Sequence, residues 1–248
     1  MGLAVGVLGA SGGVGASTLT AAIAMRARAV IDGCRTAVAV DLDLHGGLDT
    51  VLCIEHLEGL RWQDLETPGW GAAGAAGVPA LRDLPGDDGV FVLSSVAGEL
   101  PGWPAVVDIV DAVAQESDLL VVDCRARPHG SVLSRLDLLV VLARLSVKGA
   151  ADAVGATSVC PLARTRTVLV SRGTPDRGHG AALARRLAMP FLAHLGDDPD
   201  IAMQAGRGVP PGTARSGLDP VADAVLGLLE STWLSSLIGR LDGTGSAG

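Results

Sequence analysis

A chain of 248 residues, 48% of them hydrophobic, is long enough to bury a substantial core as one α/β domain or two small ones. Its formal net charge of −8 argues against broad electrostatic capture of nucleic acid. The four cysteines are widely spaced and form no C-x-x-C pair, which favours reduced thiols in the cytoplasm over a disulfide framework or a zinc site. The uncharged stretch 2–25 is interrupted by glycines and has no basic segment before it, so neither a membrane span nor a signal peptide is predicted.

The first element is an apolar run that leads into a glycine-rich loop and then a helical pattern. It reads VGVLGASGGVGASTLT from Val5 to Thr20, and four of the seven residues from Gly9 to Gly15 are glycine. Glycines allow successive backbone N–H groups to converge on an anion, and the N-terminus of the following helix adds its dipole. We therefore predict a phosphate-binding loop between a strand and a helix that covers 17–30.

Further apolar runs alternate with helical patterns along the chain. Strands are predicted at 36–43, 89–96, 118–124, 137–145, 167–171 and 191–195, and helices at 103–115, 148–159, 181–188 and 221–241. This alternation predicts an α/β fold with a doubly wound, mostly parallel sheet and helices on both faces. Residues 68–79 are expected to form a surface excursion and residues 243–248 a disordered tail. Because no linker divides the chain, residues 1–242 are predicted to form a single domain.

Three carboxylates stand at the carboxyl ends of predicted strands, where such sheets bind ligands. Asp41 and Asp43 end the second strand and Asp123 ends the fourth, so we expect them to meet the glycine loop in one cleft. Ser17 stands where a hydroxyl would bind Mg²⁺. Each residue alone has an ordinary structural explanation, such as helix capping by Ser17. Their combined order favours a nucleotide cleft.

The glycine loop also fits a dinucleotide-binding protein, in which the acidic residue after the second strand would hold a ribose. Short-chain dehydrogenases have similar loops, but they work with a Tyr and a Lys four residues apart. This chain has no tyrosine, and its single lysine, Lys148, has Arg144 at the matching position. A dinucleotide-binding regulatory protein therefore stays open as an alternative, without that catalysis.

Three stretches together, SGGVGAST, VDLDLHGGLD and LVVDC, resemble the MinD/ParA family of deviant Walker A ATPases. GLDTVLCIEHLEGLRWQDL, the ELP of 99–101 and the GRGVPPG of 206–212 resemble its CpaE/TadZ-like branch of septum-site-determining proteins from helicase and secretion gene neighbourhoods. The resemblance spans residues 3–229 and implies a P-loop NTPase fold. Relatives often carry an N-terminal receiver-like domain, which is expected to be absent from this chain or to have been removed from it.

The resemblance implies a site for ATP or ADP with Mg²⁺, in which Asp43 would position the attacking water. Family members have lysines where this chain has Ser11 and Ala16, and an asparagine against adenine where it has Ser171. Binding is therefore expected to be weak or lost and hydrolysis very slow or absent, at most that of a slow ATPase. The implied nucleotide-binding residues are Ser11, Gly12, Gly13, Val14, Gly15, Ala16, Ser17, Thr18 and Ser171, and the implied magnesium ligands are Ser17, Asp41 and Asp123.

The implied function is that of a degenerate regulatory or scaffold protein, for septum-site placement or for positioning a pilus or secretion machine. Its partners would be proteins of that machinery, with a homodimer as a further possibility. The alternative is a working slow ATPase that dimerises with ATP, in which an arginine or Lys148 supplies the missing charge.

Nucleic acid and membranes are not expected as main partners. Basic residues cluster around Asp176, but such a cluster is more often an ordinary solvent-exposed face than a nucleic-acid-binding surface. The predicted C-terminal helix has one basic residue, Arg240, so membrane association is expected to be peripheral at most, and packing against the sheet or a partner is expected instead. The basic region comprises Arg164, Arg166, Arg172, Arg177, Arg185 and Arg186.

Overall fold

The structure, a computed structural model, describes residues 2–43, 47–66, 79–95, 100–124, 128–158, 160, 165–174 and 178–243. Its centre is an eight-stranded sheet with the order β3-β4-β2-β5-β1-β6-β7-β8, in which all neighbours are parallel except the short β3–β4 hairpin. The strands are β1 Leu3–Gly9, β2 Ala37–Asp41, β3 Gly86–Asp87, β4 Val90–Leu93, β5 Leu119–Cys124, β6 Leu138–Arg144, β7 Arg166–Gly173 and β8 Phe191–Gly196.

Helices cover both faces of this sheet. One face packs against α1 and α8, and the other against α3, α4, α5 and α6, so that two hydrophobic cores are separated by the strands. The central strands are buried on both faces, which explains their continuous apolar sequences. The helices are α1 Ala16–Val30, α2 Leu48–Val51, α3 Trp103–Glu116, α4 Gly130–Leu133, α5 Val147–Ser158, α6 His179–Arg186, α7 Pro199–Ala205 and α8 Asp219–Gly243, with 3-10 turns at Trp62–Glu66 and Leu81–Asp83.

The predicted doubly wound α/β fold is confirmed, and each predicted strand and helix has a counterpart within a few residues. The sequence did not indicate β3, α2, α4 or α7, because elements of two to seven residues are too short to display a period. The surface excursion of 68–79 falls, apart from residue 79, outside the described residues, and so does the tail from 244 onward.

Helix α8 packs against α1 and the sheet, as its apolar spacing predicted. Val221, Val225 and Leu229 are buried, and the guanidinium of Arg26 on α1 bonds to Asp223 through Nε and Nη2. In the part of the chain that the structure describes, no helix is long and apolar enough to cross a membrane.

Trp62 fastens the segment after α2 to the end of β2. Its side chain is fully buried, and its indole Nε1 donates a 2.7 Å hydrogen bond to the carbonyl oxygen of Asp41. Its backbone N–H donates to the carbonyl oxygen of Ser94 at the end of β4. One tryptophan thus connects two strand ends at the carboxyl edge of the sheet.

We expect Trp62→Phe to lower the free energy of unfolding by about 1–3 kcal/mol, because the Asp41 carbonyl loses a buried donor. Urea denaturation should show a lower midpoint with an unchanged slope. Trp103→Phe, at a half-buried tryptophan, serves as the control and should have a smaller effect. Equal midpoints for the two variants would contradict this assignment.

Candidate functional site

The glycine loop between β1 and α1 is anchored at both ends. The Ala10 N–H donates to the carbonyl of Leu142 on β6, and Val14 is buried at 2% exposure, so both arms of the loop are anchored. Gly15 has φ 94°, a left-handed conformation that favours glycine. Apart from its chain neighbours, no described atom lies within 4 Å of the position that a Cβ would take at Gly12 or Gly13. The loop is therefore open to solvent at these two glycines.

Two buried aspartates lie side by side next to this loop. Asp41 and Asp123 are register partners on β2 and β5, and their exposed fractions are 2% and 4%. Ser17, in the first turn of α1, donates a hydrogen bond to the Asp123 carboxylate. Asp41 accepts from the backbone N–H groups of Asp43 at 2.8 Å and Leu48 at 3.3 Å. Asp41 and Asp123 thus lie together at one edge of the sheet, with Ser17 of the helix after the loop beside Asp123.

Burial changes the protonation of both carboxyl groups. Loss of solvent raises the pKa of Asp123 to about 7; the bond from Ser17 opposes the rise, and the charges of Asp41 and Asp43 add to it. Loss of solvent likewise raises the pKa of Asp41 to about 6, against the two backbone N–H bonds that lower it. Groups held this far from their usual pKa beside a ligand-sized opening are candidates for function.

Other predicted residues have different surroundings. Asp43 is exposed, two residues after the end of β2. Ser171 is fully buried in β7, and its hydroxyl lies 2.9 Å from Nδ1 of His194, so its predicted contact with a base stays a prediction. Lys148 is 82% exposed and pairs with Asp152 one turn along α5. It makes no described contact with the loop.

The cation that does contact the loop is Arg172 on β7, which the sequence placed only within a basic region. Its Nη1 donates to the carbonyl oxygen of Val14 at 2.7 Å, and its Nε donates to Asp197 at 3.1 Å. Its position at the carboxyl end of a central strand is the sequence signal that could have singled it out.

A cleft of about 230 Å³ opens beside the loop. Its lining includes Gly15, Thr18 and Arg172, together with Gly196 at the end of β8 and Asp198 just after it. The cleft thus continues the phosphate loop with a space bounded by both polar and apolar groups. Its remaining lining residues are Val51, Leu195, Ile201, Ala202, Ala205, Pro211 and Leu218.

These residues fit a magnesium nucleotide. The open loop offers backbone N–H groups to phosphate, and the hydroxyl of Ser17 lies against a buried carboxylate, Asp123. Among the described residues, no group of three or more His, Cys, Asp or Glu side chains is arranged to hold a metal ion by itself.

No protein-family model matches the chain. Two curated relatives, the uncharacterized proteins Rv3660c and MT3760 of two strains of Mycobacterium tuberculosis, are each 33% identical to it over 239 residues. The match covers 92% of this chain and 64% of each relative, so the chain spans slightly less than two thirds of their length.

Solved structures with this fold are P-loop ATPases of the ParA and MinD type. A ParA family ATPase from Chlorobium tepidum superposes with a TM-score of 0.72 at 18% identity, over 91% of this chain and 99% of that one. MinD from Pyrococcus horikoshii, solved with Mg-ADP, gives 0.69 at 17% identity, over 91% and 95%. MinD in a MinC:MinD complex from Aquifex aeolicus gives 0.67 at 17% identity, over 92% and 95%. The chain therefore has the fold of the ParA and MinD ATPases.

We expect Asp123→Asn to stabilise the ligand-free protein at pH 8. The folded-state pKa of Asp123 lies above the ordinary value, so the folded state holds a proton that the unfolded state releases, and stability falls as pH rises from about 4 to about 7. The Asp123→Asn variant has no carboxyl group to ionise at this position, so it does not lose this stability as pH rises. Its Tm should exceed that of the wild type at pH 8, by about 2–4 °C for each kcal/mol recovered, and the difference should shrink toward pH 5.

Asp118→Asn, one residue before the same strand, is the matched control with the opposite sign. Burial acts to raise the pKa of Asp118, but the backbone N–H groups of Arg35 and Thr36 lower it overall, so its charge stabilises the fold above the ordinary pKa. Its variant should melt below the wild type at pH 8. A pH 8 Tm for Asp123→Asn at or below that of the wild type would refute the prediction.

Proposed function

We propose that this chain is a regulatory or scaffold protein of the MinD/ParA type that binds a magnesium nucleotide weakly and hydrolyses it very slowly or not at all. The observation that carries the proposal is the open glycine loop with Ser17 bonded to the buried Asp123 beside it. A buried carboxylate is costly unless it has a partner, so this arrangement favours a ligand that brings a cation.

The weakness of catalysis follows from the two positions where lysine is missing. Ala16, at the first residue of α1, and Ser11 have no positive charge to place on phosphate oxygens. A charge-assisted contact is worth about 1.5–3 kcal/mol, so one lost contact weakens binding about tenfold to a hundredfold. Hydrolysis is expected to suffer more, because it depends on charge stabilisation of the transferring group.

The biological role in the proposal is the spatial placement of a larger assembly. Proteins with this fold include a MinD solved in complex with MinC, which supports a protein partner or a second copy as the binding partner. The sequence resemblance to the CpaE/TadZ-like branch narrows the role to septum-site placement or to a pilus or secretion machine. Nucleotide would then control which partner surface is available.

A second candidate, a working slow ATPase that dimerises with ATP, is favoured by one contact. Arg172 brings a guanidinium to within hydrogen-bonding distance of the loop backbone, and so returns a positive charge to the neighbourhood of the missing lysines. Asp43, in the position that would orient water, is retained.

We expect Ala16→Lys to increase affinity for ADP and ATP with Mg²⁺ by about tenfold or more, because it restores one charge-assisted phosphate contact. Isothermal titration calorimetry measures this directly. Ala16→Met is the control, since it lengthens the side chain without adding charge, and it should not bind nucleotide more tightly than the wild type. Equal affinities for the lysine and methionine variants would count against a phosphate site at this loop, and tight binding of NAD(P) would favour the dinucleotide alternative.

Light scattering after size exclusion separates the two candidate functions. The proposal expects no change in mass when ATP and Mg²⁺ are added at millimolar concentration, because the charges that respond to the third phosphate are missing. A doubling of mass with ATP and not with ADP would establish the second candidate. Asp123→Ala, which removes the carboxylate bonded to Ser17, should abolish any such doubling.

A further inference from the structure

An arginine of strand β7 holds the phosphate loop from outside. Besides its bond to the Val14 carbonyl oxygen, Arg172 Nη1 lies 2.2 Å from the position that a Cβ would take on Gly15. The guanidinium therefore occupies the space that a side chain at residue 15 would need. Since Val14 is buried among core residues, its carbonyl is a fixed point against which the arginine can hold the loop.

Asp197 orients the other edge of this guanidinium. It follows β8 directly and accepts from Arg172 Nε at 3.1 Å and from Arg144 Nη1 at 3.4 Å. Burial acts to raise the pKa of Asp197, but the bond from Arg172 and the charges of both arginines lower it overall, so it is ionised at neutral pH. A guanidinium fixed at Nε by a carboxylate and at Nη1 by a carbonyl has little freedom to turn.

The segment that carries Asp197 is also a wall of the cleft. Gly196 and Asp198, on either side of it, line the cleft together with Gly15 and Thr18. A group that fills the cleft would therefore contact both chain neighbours of the residue that orients Arg172. The arginine in turn contacts the loop that would hold the phosphates.

We infer that Arg172 is a positioning residue that keeps the phosphate loop in its anion-binding conformation, and that Asp197 links this conformation to the wall of the cleft. The benefit to nucleotide binding rests on the proposed function, whereas the contacts themselves exist in the ligand-free chain. The two can therefore be tested separately.

Hydrogen exchange in the ligand-free protein measures how readily the loop opens in the absence of nucleotide. The Ala10 and Leu19 amides, which bond to Leu142 and Gly15, lie at the two ends of the loop. In Arg172→Met the Leu19 amide should exchange about tenfold faster or more, because a charge-assisted bond that closes the loop is lost. Amides in the middle of β6 should not change. Asp197→Asn should give a smaller increase at the same amide.

Arg28→Met is the matched control, because it breaks another arginine–aspartate pair, with Asp88, at the far end of α1. It should leave the Leu19 amide unchanged. In Arg172→Ala, added guanidinium ion should restore slow exchange, whereas sodium chloride at equal ionic strength should not. Rescue by guanidinium alone separates a hydrogen-bonded positioning role from general loss of packing.

Any one of three results would overturn the inference. The first is equal exchange of the Leu19 amide in Arg172→Met and Arg28→Met, and the second is that guanidinium fails to slow exchange in Arg172→Ala. The third applies where Arg172→Met fails to fold, and is that the Leu19 amide of Asp197→Asn exchanges like that of the wild type.

Calorimetry with ADP and Mg²⁺ then tests the link to function, and Arg172→Met should lose about tenfold in affinity. If the wild type binds no nucleotide while Leu19 exchange behaves as expected, the positioning role stands and the proposed function fails. If the wild type binds nucleotide while Leu19 exchange is unchanged in the variants, the proposed function stands and the positioning role fails.

Discussion

The burial of two adjacent carboxylates is the constraint on which the carboxyl edge of the sheet depends. Asp41 and Asp123 lose most of their contact with water at the carboxyl edge of the sheet, and each would repel the other if both were charged. Backbone N–H groups and the hydroxyl of Ser17 compensate for part of this cost. A pair of apolar residues would be less costly to bury, so the aspartates are better explained by what the cleft binds than by stability.

This constraint explains why the surroundings of the aspartates are so heavily bonded. The carbonyl oxygen of Asp41 receives the indole N–H of Trp62, and its carboxylate receives two backbone N–H groups. These bonds fix the end of β2 beside the phosphate loop, whose own two arms are held by Leu142 and Arg172. The two carboxylates and the loop are therefore both held in place, as a site that binds a ligand in one orientation requires.

The sequence predicted the fold because the information for it is local. Buried parallel strands read as unbroken apolar runs, and Ser17, Asp41 and Asp123 follow such runs in the positions that a phosphate-binding motif requires. The role of Arg172 could not be predicted in the same way, since its contact with Val14 joins residues 158 positions apart. The partner of Ser171, a histidine on β8, was likewise not evident, because pairing between β7 and β8 shifts register between Leu169 and Val170.

The distribution of charge also indicates which form of a ligand the cleft can accept. The loop offers partial positive charge from its N–H groups and from the α1 dipole, about half an elementary charge, and Arg172 is already bonded to Asp197. Next to the loop lie the carboxyl groups of Asp41 and Asp123. A free anion would meet too little positive charge at the loop and repulsion from the acids. An anion that carries its own divalent cation satisfies both sides, so the loss of lysine makes the retained acids more important to recognition.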